Sequence, residues 1–165
     1  MSTDNEAVGQ GTIDPSALKR AEAVIERLRW VYVCEWAPDA LDEMEAAVLA
    51  LRRYADNGKE GEAGRHKAIL RLSHEMKGQA GTFGLDLLAD FAASMHTVAA
   101  ETQRIGVREA DVFLAHIMAM RTALSTIARD PCGLLHAGLE KELRRGLRQI
   151  VRQNLNLTSE RFFKL

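Results

Sequence analysis

Apolar residues recur along this chain at alternating steps of three and four positions. The first stretch carries Leu18, Ala21 and Ile25 at such steps and continues with Leu28 and Tyr32. This spacing matches the 3.6 residues per turn of an α-helix, and the two-residue alternation that is typical of β-strands does not occur. The pattern predicts six amphipathic helices, over about 15–37, 39–56, 63–82, 85–104, 108–129 and 136–154.

Residues that start and stop helices separate these segments. Asp14-Pro15 is typical of a helix start, with Asp as the N-cap and Pro in the first turn. Pro38 is expected to end the first helix or to bend the chain, because it has no backbone N–H to donate. The later helix ends are marked by Asn57-Gly58, Gly61, Gly84, Gly106, Asp130-Pro131 and Gly133.

The predicted fold is therefore all-α. We expect an antiparallel four-helix bundle with additional N- and C-terminal helices, because every apolar stripe has the spacing of helix-to-helix packing. Residues 1–13 are expected to form a flexible lead-in and residues 158–165 a C-terminal tail. The bundle domain then spans 14–157, and its four central helices lie within about 39–129.

Composition restricts the class of partner. The 165 residues are 47% hydrophobic and 27% charged with a net charge of -1, so charge alone indicates neither nucleic acid nor a membrane as a partner. Cys34 and Cys132 lie in no CxxC or zinc-site spacing, which favours two free thiols in a reducing compartment. The N-terminus shows no signal-peptide pattern, and no apolar run approaches the roughly 20 residues of a membrane span. We predict a cytoplasmic protein.

The third predicted helix carries the candidate chemistry. At about 100° per residue, one side of this helix is apolar and His74 lies roughly 150° from the centre of that side. We therefore expect His74 to face solvent about midway along the helix. The inward side is predicted to comprise Ile69, Leu72, Ser73, Met76, Ala80 and Phe83.

An exposed histidine in this setting suits nucleophilic chemistry. A neutral imidazole offers a nitrogen lone pair near pH 7. Cations beside it stabilise the charge of a phosphoryl group. Gly78 lies one turn after His74, and its missing side chain is expected to leave room beside the imidazole. The exposed side of the helix is predicted to carry Lys67, Leu70, Arg71, Lys77, Gly78 and Gly81.

The pattern His74-x-x-Lys77-Gly78-x5-Gly84 resembles the phosphoacceptor signature of histidine-containing phosphotransfer (HPt) domains. The resemblance implies a four-helix bundle in which His74 accepts phosphate from a receiver aspartyl phosphate and returns it to another receiver. It also implies that Lys77 assists and that Gly78 gives access. The partners would be receiver domains of a two-component phosphorelay, including those of hybrid histidine kinases. Mg2+ is expected in the receiver, with no cofactor in this chain.

Within that interpretation, the neighbours of His74 on the exposed side are expected to contact the docked receiver. These neighbours are Lys67, Leu70, Arg71 and Gly81.

A second resemblance leads to a different class. Ser73-His74-Glu75-Met76-Lys77 is similar to the phosphoacceptor box of sensor histidine kinases, in which an acid follows the histidine and helps to activate it. That box normally continues with Thr-Pro, whereas Gly78-Gln79 follows here, and nothing downstream resembles an ATP-binding domain. We expect a phosphotransfer intermediate that is not a kinase.

Two alternatives stay open. One is a dimeric phosphotransferase derived from the dimerisation domain of a kinase, and the other is a helical interaction module without covalent chemistry. We expect a monomer, because six helices are enough to complete a bundle in one chain. His66 lies two turns before His74, but no further ligand completes a metal site, and none is predicted. His96 and His116 are expected at the boundary between core and surface.

Overall fold

The fold consists of helices joined by short connections. The computed structural model describes residues 14–54, 62–129 and 137–155. In chain order the elements are α1 (Pro15–Val31), a π-helical turn (Tyr32–Trp36), α2 (Ala37–Tyr54), α3 (Glu62–Thr82), α4 (Asp86–Glu101), α5 (Val107–Arg129) and α6 (Ala137–Leu155).

Some predictions fall outside the described residues. These are the lead-in at 1–13, the turn at 57–61, the break at 130–133 with Cys132, and the tail at 158–165.

Helices α2 to α5 form the predicted four-helix bundle. α3 packs against α2 and α4, and α5 closes the ring by packing against α2 and α4. α6 packs against α5 on the outside of this ring. The described residues contain no β-strand, so the all-α bundle with added terminal helices is confirmed.

One apolar interior joins the four bundle helices. Each helix buries a stripe with the predicted spacing of three and four residues, and burial of these large side chains is the main force that stabilises the bundle. α6 adds Leu147 and Val151 to the same interior. The largest fully buried side chains are Leu41, Met44, Val48, Ile69, Met76, Leu88, Phe91, Met95, Phe113, His116, Ile117 and Met120.

The first helix does not end at Pro38. α1, the π-helical turn and α2 run on without a break, and Pro38 lies inside α2. The Ala37 N–H donates to the Tyr32 carbonyl, a bond across five residues that widens the helix just before the proline. A wide turn of this kind accommodates the missing N–H of a proline. Of the two outcomes expected at Pro38, an end of the helix or a bend of the chain, the end does not occur.

The aromatic residues of the π-helical turn fix it to the bundle. The Tyr32 ring stacks on Trp36 at 5.5 Å between centroids and contacts Phe83 of the α3–α4 connection at 5.3 Å. The Tyr32 hydroxyl also donates to the Met76 carbonyl at 3.3 Å. These contacts anchor the start of α2 to the end of α3.

Gly84 ends α3 as the sequence predicts. Its φ of 67° lies in the left-handed region, which glycine adopts without steric cost. The Leu85 N–H donates to the Ala80 carbonyl at 2.9 Å, and the Gly84 N–H donates to the Gly81 carbonyl at 3.2 Å. This pair of bonds is the Schellman motif, and it turns the chain sharply from α3 into α4.

Gly106 lies at the N-terminus of α5, whereas the sequence predicted that it marks the end of the preceding helix. α4 already ends at Glu101, because Thr102 adopts an extended conformation. The Gly106 N–H donates to the Glu109 carboxylate at 2.9 Å, which is half of a capping box at the start of α5.

α1 stands apart from the bundle. Asp14 caps it as predicted, accepting a hydrogen bond from the Ser16 N–H at 2.9 Å. Yet no residue of α1 is buried, although its sequence carries an apolar stripe like those of the bundle helices. The described core is thus completed without α1.

Candidate functional site

His74 lies on the solvent side of α3, roughly midway along the helix. The opposite side of α3 is inserted into the bundle through Ile69, Leu72 and Met76, and Ser73 and Ala80 are buried with them. Phe83 is half-buried at the end of this stripe. The spacing of apolar residues therefore predicted correctly which side of α3 is buried and which side is exposed.

A second imidazole lies beside His74. The ring of His96, on α4, is 5.4 Å from the ring of His74 between centroids, with the ring planes tilted by 53°. Nδ1 of His96 lies 3.1 Å from the Leu70 carbonyl oxygen and 3.4 Å from the Ser73 hydroxyl. A carbonyl oxygen only accepts, so Nδ1 carries the proton, and Nε2 of the neutral ring keeps its lone pair.

The sequence did not predict this neighbour of His74. His96 is half-buried, as a boundary position would be, but its contact with His74 depends on how far α4 is shifted along α3. That shift is fixed by the short Gly84 turn and by packing, neither of which the spacing of histidines reveals.

Two lysines belong to the exposed surface around His74. Lys67 and Lys77 are both exposed, and neither forms an ion pair with another described residue. At about 100° per residue, Lys67 lies almost in line with His74 two turns earlier, and Lys77 lies on the side toward α4. Both ammonium groups are free to turn toward an anion at His74.

Arg71 is placed differently from the two lysines. Its guanidinium binds Glu75 at 3.0 Å and Glu43 of α2 at 3.1 Å, on the side of α3 that faces away from His96. Two carboxylates therefore already neutralise this cation. The same pairing engages Glu75, the acid that the kinase-like interpretation requires beside the histidine.

Gly78 and Gly81 are both exposed, but they do not leave room in the way the sequence suggested. A Cβ built at either glycine has no heavy atom within 4 Å. A methyl group at position 78 would therefore not crowd the His74 imidazole in the free protein. If phosphotransfer requires glycine at these positions, the reason must be contact with a molecule that docks on this face.

The remaining predicted contact residue is only partly available. Leu70 is half-buried and packs against the core, so that only part of its side chain contributes to the exposed surface. Its carbonyl oxygen has a second use, because it holds His96 in place.

Two other histidines are accounted for by hydrogen bonds within the fold. His66 donates from Nε2 to the Ala99 carbonyl oxygen at 2.8 Å, across the α3–α4 interface. No group of three or more His, Cys, Asp or Glu side chains able to hold a metal ion occurs within 14–54, 62–129 and 137–155.

His116 is fully buried, so its predicted boundary position is wrong. Nδ1 donates to the Val112 carbonyl oxygen at 2.9 Å, and Nε2 accepts from the Ser94 hydroxyl at 2.9 Å. Burial lowers the pKa of His116 to about 4, although the bond to Val112 opposes this shift. The ring is thus a neutral, satisfied polar group that links α4 and α5 inside the core.

A family model described as the Hpt domain matches residues 30–130, well over half of the chain. The chain belongs to the Hpt domain family. The match covers the π-helical turn and α2 to α5, and it leaves out α6 and almost all of α1. No match was found among curated proteins or among solved structures.

Membership in the Hpt family places the chain in phosphotransfer of two-component signalling. The predicted membership of the HPt domain family is thereby confirmed. Within the described part of this Hpt protein, no helix is long and apolar enough to cross a membrane.

Proposed function

We propose that His74 is the phosphoacceptor of a phosphorelay protein, which takes phosphate from one receiver domain and passes it to another. The observation that carries this proposal is the position of His74: solvent-exposed at mid-helix, inside the segment matched by the Hpt family model. The imidazole is accessible to a docked protein, while the rigid bundle behind α3 holds it in a fixed direction.

The proposed step is an in-line displacement at phosphorus. The lone pair on Nε2 of His74 attacks the phosphorus of a receiver aspartyl phosphate. The bond between phosphorus and the aspartate oxygen breaks, and its electron pair leaves with the carboxylate. The phosphohistidine returns the group to a second aspartate by the reverse step. Positioning and charge stabilisation supply most of the catalysis in such transfers, and the receiver brings its own Mg2+.

The lysines and glycines around His74 have separate proposed roles. Lys77 stabilises the transferred phosphoryl group on the α4 side, and Lys67 extends the positive charge along the docking face. Gly78 and Gly81 have no side chains that would project from this face, so that the receiver can approach the imidazole closely. Arg71 and the exposed part of Leu70 contribute contacts at the rim. Exchange with receiver domains also leads us to propose a cytoplasmic location.

The test is phosphate transfer from phosphorylated receiver domains to the purified full-length chain. We expect acid-labile, base-stable phosphate on the parent and none on His74→Gln. The substitution should change the free energy of unfolding by no more than about 0.5 kcal/mol, because the side chain is exposed. His66→Gln is the matched control, since it removes another histidine of α3 that does not lie beside His74.

Each alternative gives its own result in the same experiment. Label from ATP alone, with no receiver present, would favour the kinase-derived interpretation. A parent chain that binds receivers without gaining phosphate would support the non-catalytic module. If His74→Gln gains as much phosphate as the parent, the site assignment is wrong.

A further inference from the structure

α1 carries an apolar face that nothing in the described structure covers. Six of the eight large apolar side chains that are exposed in the described residues lie on this one helix, and Leu18 and Ile25 are 50% and 55% exposed. Exposed apolar surface concentrated in this way marks an interaction site in a water-soluble domain. The six are Leu18, Val24, Ile25, Leu28, Trp30 and Val31, of which all but Trp30 lie on one side of the helix.

The spacing on this face is that of a coiled coil. Leu18 and Ile25 occupy a positions, and Ala21 and Leu28 occupy d positions, of a heptad repeat. The next a position is Tyr32, which is buried in the chain's own bundle and so ends the uncovered face. Most of the stability of helices in proteins comes from packing against other elements, and intrinsic helix propensity contributes little. α1 buries none of its own residues, so it lacks this stabilisation within the described structure. A second helix of similar pattern would supply that packing.

The flanking residues identify the orientation of that second helix. Val24 and Val31 lie at g positions, and Glu22 and Arg29 lie at e positions. In an antiparallel helix pair, residues at a positions of one helix face residues at d positions of the other. Residues at g positions face g positions, and residues at e positions face e positions. If Ile25 lies opposite Leu28 of a second copy, then Val24 lies opposite its Val31 and Glu22 opposite its Arg29. At the centre of this register, apolar residues thus face apolar residues and opposite charges face each other. Arg29 binds Glu26 of its own helix at 3.4 Å, and it would bind Glu22 of the second copy in addition or in exchange.

A parallel pair has no such match. There, g residues face e residues, so that Arg29 would lie against Val24 of the second copy. Shifting the antiparallel register by one heptad would place Glu22 opposite its own copy, which is repulsive. The complementarity in a single register favours the second copy of this chain over an unrelated partner.

We propose that α1 is a self-association surface, on which two copies of the chain form an antiparallel helix pair centred near Ile25 and Leu28. The pair leaves each four-helix bundle within its own chain, and His74, on α3, lies outside it. This proposal does not depend on phosphotransfer. It replaces the expectation of a monomer, which rested on six helices sharing one core, because α1 contributes nothing to that core.

The experiment measures the molar mass of the full-length chain by analytical ultracentrifugation, up to about 1 mM. We expect a reversible dimer that forms with rising concentration. Ile25→Glu should raise its Kd by more than about tenfold, because a carboxylate would be buried between the helices. Met118→Glu on α5 is the matched control: Met118 is 68% exposed but lies outside α1, so the dimer should persist.

A charge exchange tests the register. Glu22→Arg alone and Arg29→Glu alone should each weaken the dimer by placing like charges opposite each other. The double variant should restore it, since the pair is re-formed with its signs reversed. Circular dichroism of every variant reports whether the bundle is still folded.

Three results would overturn the proposal. A parent that stays monomeric at all concentrations would show that a second copy does not cover α1. A dimer that survives Ile25→Glu would mean that the copies associate through another surface. Failure of the double charge variant to recover would exclude the antiparallel register.

Discussion

At the scale of single residues, the site is a pair of imidazoles with different surroundings. His74 is exposed on α3, whereas the ring of His96 is half-buried and held by the Leu70 carbonyl oxygen at 3.1 Å. This bond places the proton on Nδ1 and leaves the lone pair of Nε2 available to accept a hydrogen bond. A ring fixed at 5.4 Å from His74 can thereby orient the His74 ring.

His96→Leu is therefore expected to slow phosphoryl transfer to His74 by about tenfold, because the His74 ring loses the neighbour that orients it. His66→Leu is the matched control, because it also removes an imidazole bonded to a carbonyl oxygen across the α3–α4 interface. Both variants should lower the melting temperature to a similar degree. Time courses of labelling and thermal melts are compared, and equal transfer rates in the two variants would show that His96 is merely structural.

At the scale of elements, two glycines of the same signature have opposite conformational roles. Gly84 adopts a left-handed φ of 67° at the end of α3. Gly78 lies inside α3, with open space where a Cβ would be. An alanine at position 84 would be strained, whereas an alanine at position 78 would only improve helix propensity.

We expect Gly84→Ala to lower the free energy of unfolding by about 1 kcal/mol and Gly78→Ala to raise it by up to about 1 kcal/mol. Thermal melts check both signs. Gly78→Ala should leave the free imidazole undisturbed, so any loss of transfer rate must come from the approach of the receiver, and Gly78→Leu should lose more. If Gly78→Leu transfers phosphate as fast as the parent, the proposed access role of Gly78 fails.

The same elements show how far the sequence predicts the fold. Apolar spacing places Ile69, Leu72 and Met76 on the buried side of α3 and His74 on the exposed side, because that spacing depends only on helix geometry. It does not identify what covers an apolar stripe, and so α1 looked like a core helix. At Pro38 the sequence allowed an end of the helix or a bend of the chain, and it does not specify the π-helical turn through which the helix continues.

At the scale of the whole molecule, the contacts between helices are what the sequence could not supply. His116 resembles a boundary residue in sequence, yet it lies fully buried between α4 and α5 with both ring nitrogens bonded. The proximity of His96 to His74 has the same origin, since both depend on how neighbouring helices are shifted along each other. Single-helix periodicity carries no information about that shift.

The buried His116 also predicts how the stability of the whole bundle depends on pH. Burial holds its pKa at about 4 in the folded state, below the value of about 6.5 expected when the chain is unfolded. As the pH falls below about 6.5, the unfolded chain therefore binds a proton that the folded chain refuses, and stability is lost until the pH reaches about 4. Above this window the contribution is fully present.

This group alone should lower the free energy of unfolding by roughly 2 kcal/mol between pH 7.5 and pH 5. Denaturant unfolding of the parent and of His116→Gln at a series of pH values measures it. The variant is expected to be less stable at pH 7.5, because glutamine cannot reproduce both ring bonds, but to lose less stability on acidification. Between pH 7.5 and pH 8.5 the difference between the two proteins should stay constant, since His116 is neutral in both states there. Parallel pH profiles across the whole range would mean that another group controls the acid stability of the bundle.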